Sequence, residues 1–511
     1  LNLAKIRIAI SSLVFILFLS IFFGGEKLSV LLSPIILPLQ FVPAIIHVFT
    51  KPETIAIFCL VLLIVVSLIF GRIYCSFLCP LGTMQDIFIA VSRKTSRRRN
   101  NFQKPGNWLR YSLFILTFIS AVYGITALLN LLDPYSLWSR IATNLFEPLF
   151  LWFHNAAVQI LKLFDVYIFE KKLHYIPVSV IGVTLGFFLL LVVMSFRYGR
   201  LYCNSICPVG TMLGLFSRIA VFKFVIDPTN CIGCRQCESV CKAGCIDSEK
   251  MAIDQSRCVS CFNCLNSCPQ SVINYRPSFM EKNKNVWLPE RRNFIISSAI
   301  AAGSVALALY FPVHNRVINT LIKKTDLPVV PPGAAGLAHF TAACTACHLC
   351  VSACPTKVIT PAFLEYGPAG LMQPRMNYEE SYCDYECNTC GRVCPTGAIL
   401  PLTLEEKKLT QIGVAELLKN RCIVHVKNQN CGACLEVCPT HALYSTDKNN
   451  ILYPETEVRY CIGCGACEKA CPTEPKSIIV KSNPLHKKAI KYAAIAAPIR
   501  QNKEVDKGFP F

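Results

Sequence analysis

Apolar residues run without an acidic or basic side chain at 8–23, 54–70, 111–132, 175–196 and 293–315. A bilayer core about 30 Å thick takes roughly 17 to 25 such residues per helix, so each run is predicted to be a membrane span. A sixth apolar run, 28–50, carries Pro34, Pro38 and Pro43. Each proline removes a backbone donor and disturbs a helix interior, which predicts an interfacial or re-entrant segment there. The first four spans form two helical pairs, and the polar stretches that follow each pair are where charge and cysteine concentrate.

Charge gives these spans a direction. Residues 72–110 hold Arg72, Arg93, Lys94, Arg97, Arg98, Arg99, Lys104 and Arg110 against the single acid Asp86, whereas 133–174 balances Arg140, Lys162, Lys171 and Lys172 with Asp133, Glu147, Asp165 and Glu170. By the positive-inside bias the first loop is cytoplasmic and the second lies outside. Lys5 and Arg7 put the N-terminus inside, 197–292 returns to the cytoplasm, and everything after 315 is outside. Only 16% of residues are charged, against about 25% in an average soluble chain, as membrane-embedded stretches require. The net charge of +20 follows from basic inside loops, so no nucleic-acid partner is expected.

The fifth span follows Glu290-Arg291-Arg292-Asn293-Phe294, an arrangement like a twin-arginine export signal placed mid-chain. A plain stop-transfer helix would give the same sidedness, but twin-arginine export moves a folded domain with its cofactors already inserted. The composition then divides the chain into a four-helix membrane domain at 1–222, a cytoplasmic domain at 223–280, the signal-like segment with the fifth helix at 281–327, an outer domain at 328–480 and a basic tail at 481–511. Residues 328–336, PVVPPGAAG, read as a linker. The tail is expected to be solvated or to wrap a partner.

Thirty cysteines in so long a chain do not make a secreted disulfide framework, which belongs to short chains. Two segments, GRIYCSFLCPLGTM at 71–84 and GRLYCNSICPVGTM at 199–212, share nine of 14 positions. Each follows the cytoplasmic end of a span, which predicts a tandem two-helix repeat. A spacing of four puts Cys75 with Cys79, and Cys203 with Cys207, on one face of a helical turn. Two copies across a pseudo-twofold axis supply four thiolates, enough for one shared iron–sulfur cluster, a 4Fe–4S cubane before a 2Fe–2S centre. Disulfide-exchanging pairs are the competing reading.

The other cysteines follow the bacterial ferredoxin spacing, in which three close cysteines hold one cubane and a distant fourth serves its neighbour. Cys231, Cys234, Cys237 and Cys268 make one set, and Cys258, Cys261, Cys264 and Cys241 the other. A zinc site would not need the triple spacing twice. The outer domain carries two regular motifs, Cys344/Cys347/Cys350/Cys354 and Cys461/Cys464/Cys467/Cys471. Two variants lie between them, Cys383/Cys387/Cys390/Cys394 and Cys422/Cys431/Cys434/Cys438. Spacing allows neighbours to exchange their fourth cysteines, or the first motif to pair with the last around the middle two. The nested order is expected, because the variants adjoin. Six 4Fe–4S clusters and the shared one account for 28 thiols, leaving Cys59 as a small apolar residue in a span and Cys245 unassigned.

On these motifs residues 1–280 resemble the NapH family of membrane quinol-dehydrogenase components, and the chain from about 290 resembles NapG/MauM-type four-cluster ferredoxins. The resemblance implies electron transfer between the membrane quinone pool and a periplasmic cytochrome or molybdenum oxidoreductase, with other membrane subunits as partners. The implied seat is the bacterial inner membrane. The fold class is a membrane α-helical domain with two ferredoxin-like α+β iron–sulfur domains. The chain is expected to be an electron-transfer subunit. A self-contained quinol dehydrogenase is the alternative, and a redox-sensing or maturation protein a further one.

No two histidines within a span offer haem ligands, since His47, His154 and His174 fall in outer or interfacial segments. Trp152, His154, Gln159 and Asp165 could line a quinone pocket, although an interfacial amphipathic helix is the simpler reading. The duplicated motifs thus appear on the inside and four clusters on the outside, with about 30 Å of hydrocarbon and no carrier between them.

Overall fold

The computed structural model describes residues 2–96, 101–277 and 327–492. The expected fifth span, its twin-arginine segment and the end of the tail lie outside the described residues.

Among the described residues thirteen α-helices build the first part, α1 (Leu3–Phe23), α2 (Gly25–Ile36), α3 (Phe41–Thr50), α4 (Thr54–Phe70), α5 (Tyr74–Phe77), α6 (Pro80–Ser96), α7 (Asn107–Val122), α8 (Ala127–Leu132), α9 (Pro134–Ile141), α10 (Glu147–Lys162), α11 (Val178–Tyr198), α12 (Leu201–Ser205) and α13 (Pro208–Arg218). α1 and α11 are long and apolar enough to cross a membrane. The proline-bearing run becomes the pair α2 and α3, bent by 96°. α4 and α7 are apolar and shorter, at 17 and 16 residues. The span expected at 111–132 is interrupted, because Gly124 takes a positive φ of 77° and the chain restarts as α8.

α4 and α11 both end at a glycine with positive φ, Gly71 and Gly199, where a side chain would be strained. The chain then turns back through a one-turn helix carrying the first cysteine of each motif. Cys207 caps α13 by accepting from the Gly210 amide, and Pro208, like Pro80 of α6, opens the following helix where no amide donor is needed.

Among the described residues the cysteine-rich parts contain ten short strands in five antiparallel pairs: β1 (Phe222–Ile226) with β4 (Ile273–Pro277), β2 (Ile246–Asp247) with β3 (Ala252–Ile253), β5 (Ile359–Pro361) with β6 (Pro374–Met376), β7 (Thr410–Leu417) with β10 (Ile478–Lys488), and β8 (Leu443–Lys448) with β9 (Ile451–Thr456). β10 pairs Lys488 with Thr410, so residues 481–488, read as tail, are part of a sheet.

α1 serves as a ruler for the whole assembly. Asn2 at its start accepts a hydrogen bond from Asn266 of the first ferredoxin part, at 2.7 Å, and the Phe22 carbonyl at its end accepts from Ser352 of the second, at 3.0 Å. At 1.5 Å per residue these contacts lie about 30 Å apart, the thickness of a bilayer core. The two cysteine-rich parts therefore grip opposite ends of one membrane-length helix.

Candidate iron–sulfur centres

Every one of the 28 expected cysteines lies within the described residues, and they gather into seven groups. Cys231, Cys234, Cys237 and Cys268 ring one cavity. Cys241, Cys258, Cys261 and Cys264 ring a second, with Cys245 on the same wall. Both follow the spacing-based assignment. Cys245 stands 3.6 Å from Cys241, sulfur to sulfur. Hydrogen bonding from that thiol, with the amides of residues 243–245, lowers Cys241 to about 6, toward the thiolate that an iron ligand must be.

The outer part departs from the expected nested pairing. Cys344, Cys347 and Cys350 share a cavity with Cys394. Burial, then Cys383, Cys354 and Cys387, pushes the Cys390 thiol up, which places Cys354 with the second motif. Cys461, Cys464 and Cys467 take Cys438, and Cys422, Cys431 and Cys434 take Cys471. Neighbouring motifs thus exchange their fourth cysteines. The reason is local: the one-turn helices 349–353 and 389–393 pack on each other, as do 433–436 and 466–470, and each delivers its last cysteine to the facing ring. The two pairs meet where the Cys383 amide donates to the Cys464 carbonyl at 2.9 Å.

The backbone fits a cubane. In all four regular C-x-x-C-x-x-C loops the same two positions have positive φ: Gly233 and Arg235, Ser260 and Phe262, Ala346 and His348, Gly463 and Gly465. Left-handed conformation costs a non-glycine residue roughly 1–2 kcal/mol, and alternation of this kind turns successive amides toward one anionic centre. Amide donors do reach sulfur, from Ala346 to Cys344, Ile399 to Cys394 and Ala415 to Cys461, each at 3.4 Å. Among the described residues no three Cys, His, Asp or Glu groups converge as for a lone ion. The thiols surround a volume, as the corners of a cluster demand.

The four membrane-domain thiols, Cys75, Cys79, Cys203 and Cys207, are all buried and interact electrostatically with one another. Their two motifs are cross-braced. Arg72 donates to the Cys203 carbonyl at 2.9 Å, and Arg200 donates to the Cys75 carbonyl at 2.6 Å. The matching glycines make room: a Cβ on Gly82 would stand 2.4 Å from the Cys75 carbonyl oxygen, and one on Gly210 2.1 Å from that of Cys203. Both arginines and both glycines belong to the positions shared by the two segments, a signal that a cysteine-only reading passes over.

The first ferredoxin part closes this site from below. Ser76 donates to the Val259 carbonyl, and Asn204, at the matching place, donates to the Ala243 carbonyl at 3.0 Å. Asp86, expected in a cytoplasmic loop, is buried and joins Arg7 of α1, Arg200 and Lys242, the last two at 2.8 Å. Arg7, Arg72, Arg110, Arg140 and Arg200 are buried in the membrane domain against Asp86, Asp133 and Glu147. Uncompensated buried charge costs several kcal/mol per ion, so this cationic excess suits an anionic, thiolate-bound cluster.

The suggested quinone residues do not converge. Trp152 is exposed, Gln159 bonds Glu170 at 2.7 Å, and His154 pairs with Asn155. His47 instead contacts the Pro395 carbonyl of the outer part at 3.3 Å, and His174 is buried.

Comparison with known proteins agrees with this division. One 4Fe–4S binding domain model matches twice, at 53–99 and 180–226, over the two membrane-domain motifs. A 4Fe–4S dicluster model matches at 343–398 and 427–474, enclosing neighbouring motifs, and a further 4Fe–4S binding domain at 224–247. The methylamine utilization ferredoxin-type protein MauM of Methylorubrum extorquens is 31% identical over 154 residues, 30% of this chain and 67% of its own. The chain belongs to the ferredoxin-type iron–sulfur proteins that include MauM. MauM of Methylophilus methylotrophus is 34% identical over 163 residues, covering 30% of this chain and 66% of its own. YccM of Escherichia coli, whose name describes an electron transport protein, is 24% identical over 192 residues, 36% of this chain and 45% of its own. The chain spans 66% and 67% of these two MauM proteins, 46% of a third and 45% of YccM, so it covers less than two thirds of most of these relatives. The matched models mark 4Fe–4S binding domains in the membrane-domain motifs, the first ferredoxin part and the outer part.

Proposed function

We propose that this chain is the iron–sulfur subunit of a membrane-bound respiratory complex, passing electrons between the quinone pool and a periplasmic cytochrome or molybdenum oxidoreductase. In this reading residues 1–280 are a NapH-type membrane component fused to a NapG/MauM-type ferredoxin, with six 4Fe–4S clusters and a seventh held by Cys75, Cys79, Cys203 and Cys207. The N-terminus and first ferredoxin part face the cytoplasm, and the outer domain faces the periplasm of a bacterial inner membrane. The observation that carries the reading is the gripping of opposite ends of α1 by two separate sets of thiol rings, together with the basic bias of the inner loops.

The chain's own residues place and insulate the carriers. Bound cubanes supply one-electron exchange at potentials set by hydrogen bonds, charge and exposure. The amides that reach Cys344, Cys394 and Cys461 favour the reduced, more negative state, and the buried arginines do the same for the membrane site. In membranes supplied with quinol, replacement of Cys461, Cys464 and Cys467 by serine should abolish reduction of the periplasmic acceptor. Unchanged turnover would remove the electron-transfer role of the outer domain and leave the sensing alternative.

A further inference from the structure

The sequence leaves the two iron–sulfur halves separated by the full hydrocarbon core; the structure fills that interval with protein polar groups. All eight residues of α9, Pro134–Ile141, are buried, although they belong to the segment that charge balance assigns to an outer loop. α9 packs on α1 through Trp138 on Phe15, ring centres 4.8 Å apart, and Tyr135 near Phe18 at 6.2 Å. On the α1 ruler these contacts stand roughly 20 to 24 Å from Asn2, whereas the Arg7–Asp86 pair stands roughly 8 Å from it.

Residues 132–141, the end of α8 with α9, are hydrogen-bonded to a neighbour of the membrane-site thiols at one end and to the backbone of an outer-ring cysteine at the other. Tyr202, the residue before Cys203, donates its hydroxyl to the Leu132 carbonyl at 2.9 Å. Asp133 next to it caps α9, accepting from the Ser136 amide at 2.7 Å. At the far end Ser139 donates to the carbonyl of Cys347, in the first outer ring. Arg140 is 1% exposed, its Nη1 has no hydrogen-bond partner among the described residues, and it interacts electrostatically with Asp133 first, then with Tyr202, Cys347 and Cys344. An eight-residue helix is about 12 Å long. It replaces the supposed hydrocarbon gap with one short covalent and hydrogen-bonded segment.

We propose that α9, with Tyr202 at one end and Arg140 and Ser139 at the other, is the electronic link between the four-thiol membrane site and the Cys344/Cys347/Cys350/Cys394 ring, so that this one chain conducts electrons across the membrane without a diffusing quinone or a haem subunit. The inference rests on the electron-carrier reading and extends it. In each step one cubane loses an electron and its neighbour gains it, and no bond is made or broken. Arg140 is a positioning residue, whose charge favours the electron on the outer ring.

The test uses the full chain, loaded with clusters, in sealed vesicles free of quinone. A membrane-impermeant reduced viologen added outside supplies the electrons, and bleaching of the cluster absorption is followed before and after detergent. The expected result is complete bleaching before detergent, whichever way each molecule faces. A large fraction that bleaches only after detergent, or only on adding a quinone, overturns the link and leaves the carrier reading standing. Absence of bleaching even in detergent defeats both. Arg140→Met should retain its iron, lower the midpoint potential of the Cys344-ring cluster in EPR titration, and slow far-side bleaching at least tenfold; Arg140→Lys should restore most of the rate. A potential and rate unmoved in Arg140→Met remove Arg140 from the link.

Discussion

At the scale of single residues, the membrane site is defined as much by what is small as by what binds iron. A methyl group on Gly210 would meet the Cys203 carbonyl at 2.1 Å and the Arg72 guanidinium at 2.8 Å. Gly210→Ala should therefore cost at least the 1–3 kcal/mol typical of overpacking and release iron from this site alone, leaving the ferredoxin clusters visible by EPR. Gly82→Ala should act alike. The fourth cysteines give a second residue-level outcome. Cys438→Ser should perturb the cluster of Cys461, Cys464 and Cys467 and spare that of Cys431 and Cys434; Mössbauer spectra of single-motif variants distinguish this exchange from the nested one. Cysteine spacing made the ligands legible, but both pairings satisfy the same spacing. Only the packing of one-turn helices decides between them.

Among elements, α6 and α9 were the least legible. α6 begins at a motif and carries Arg93 and Lys94, so it reads as the start of a basic loop, yet it returns through the bundle and buries Asp86. α9 is only eight residues long, with Leu137, Trp138 and Ile141 on one face and Ser136, Ser139 and Arg140 among the rest, so its pattern reads as half-exposed where the structure buries every side chain. By contrast, α1, α4 and α11 follow directly from their apolar runs. Asp86 anchors three cations from three parts of the chain, and breaking a buried pair typically costs about 3–5 kcal/mol. Asp86→Asn should lower the thermal midpoint accordingly and loosen the first ferredoxin part, as greater hydrogen exchange at 242–246 would show. The connection between α10 and α11 offers a pH effect. Burial, then Lys357 and His348, lowers His174 to about 3, and neither ring nitrogen has a hydrogen-bond partner among the described residues. Its folded value lies below the ordinary 6.5, so its contribution is complete above pH 6.5 and is lost as pH falls toward 3, by at most about 1.4 kcal/mol per unit. Protection factors of the amides around 172–176, corrected for the intrinsic pH dependence of exchange, should fall from pH 7 to pH 5, and His174→Gln should flatten that response.

Across the whole molecule, the seven thiol groups are joined one to the next by contacts between their loops. The Cys231 ring adjoins the Cys241 ring, whose loop holds the membrane site. Beyond α9 the Cys344 ring shares its motif with the Cys354 ring, which meets the Cys438 ring through Cys383 and Cys464, and the Cys422 ring comes last. The attachment of the two ferredoxin parts to opposite ends of α1 and the order of these groups were not legible in the sequence, because they depend on contacts between residues up to hundreds of positions apart. Stripping iron leaves five buried arginines facing three buried acids in the membrane domain. The apo protein should accordingly be proteolysed there first, with cleavage near Gly71 and Gly199 rising several-fold on iron chelation and falling on reconstitution.

The crossed arginines carry a consequence for how the protein is made. Arg72 holds a carbonyl that is synthesised 131 residues later, and Arg200 reaches back to Cys75. A nascent chain that has emerged only through its first hairpin owns half a cage and an unpaired guanidinium. On the proposal that these four thiols hold a seventh cluster, iron delivery would wait until the second hairpin has packed on the first, and metal loading would report that the two are assembled.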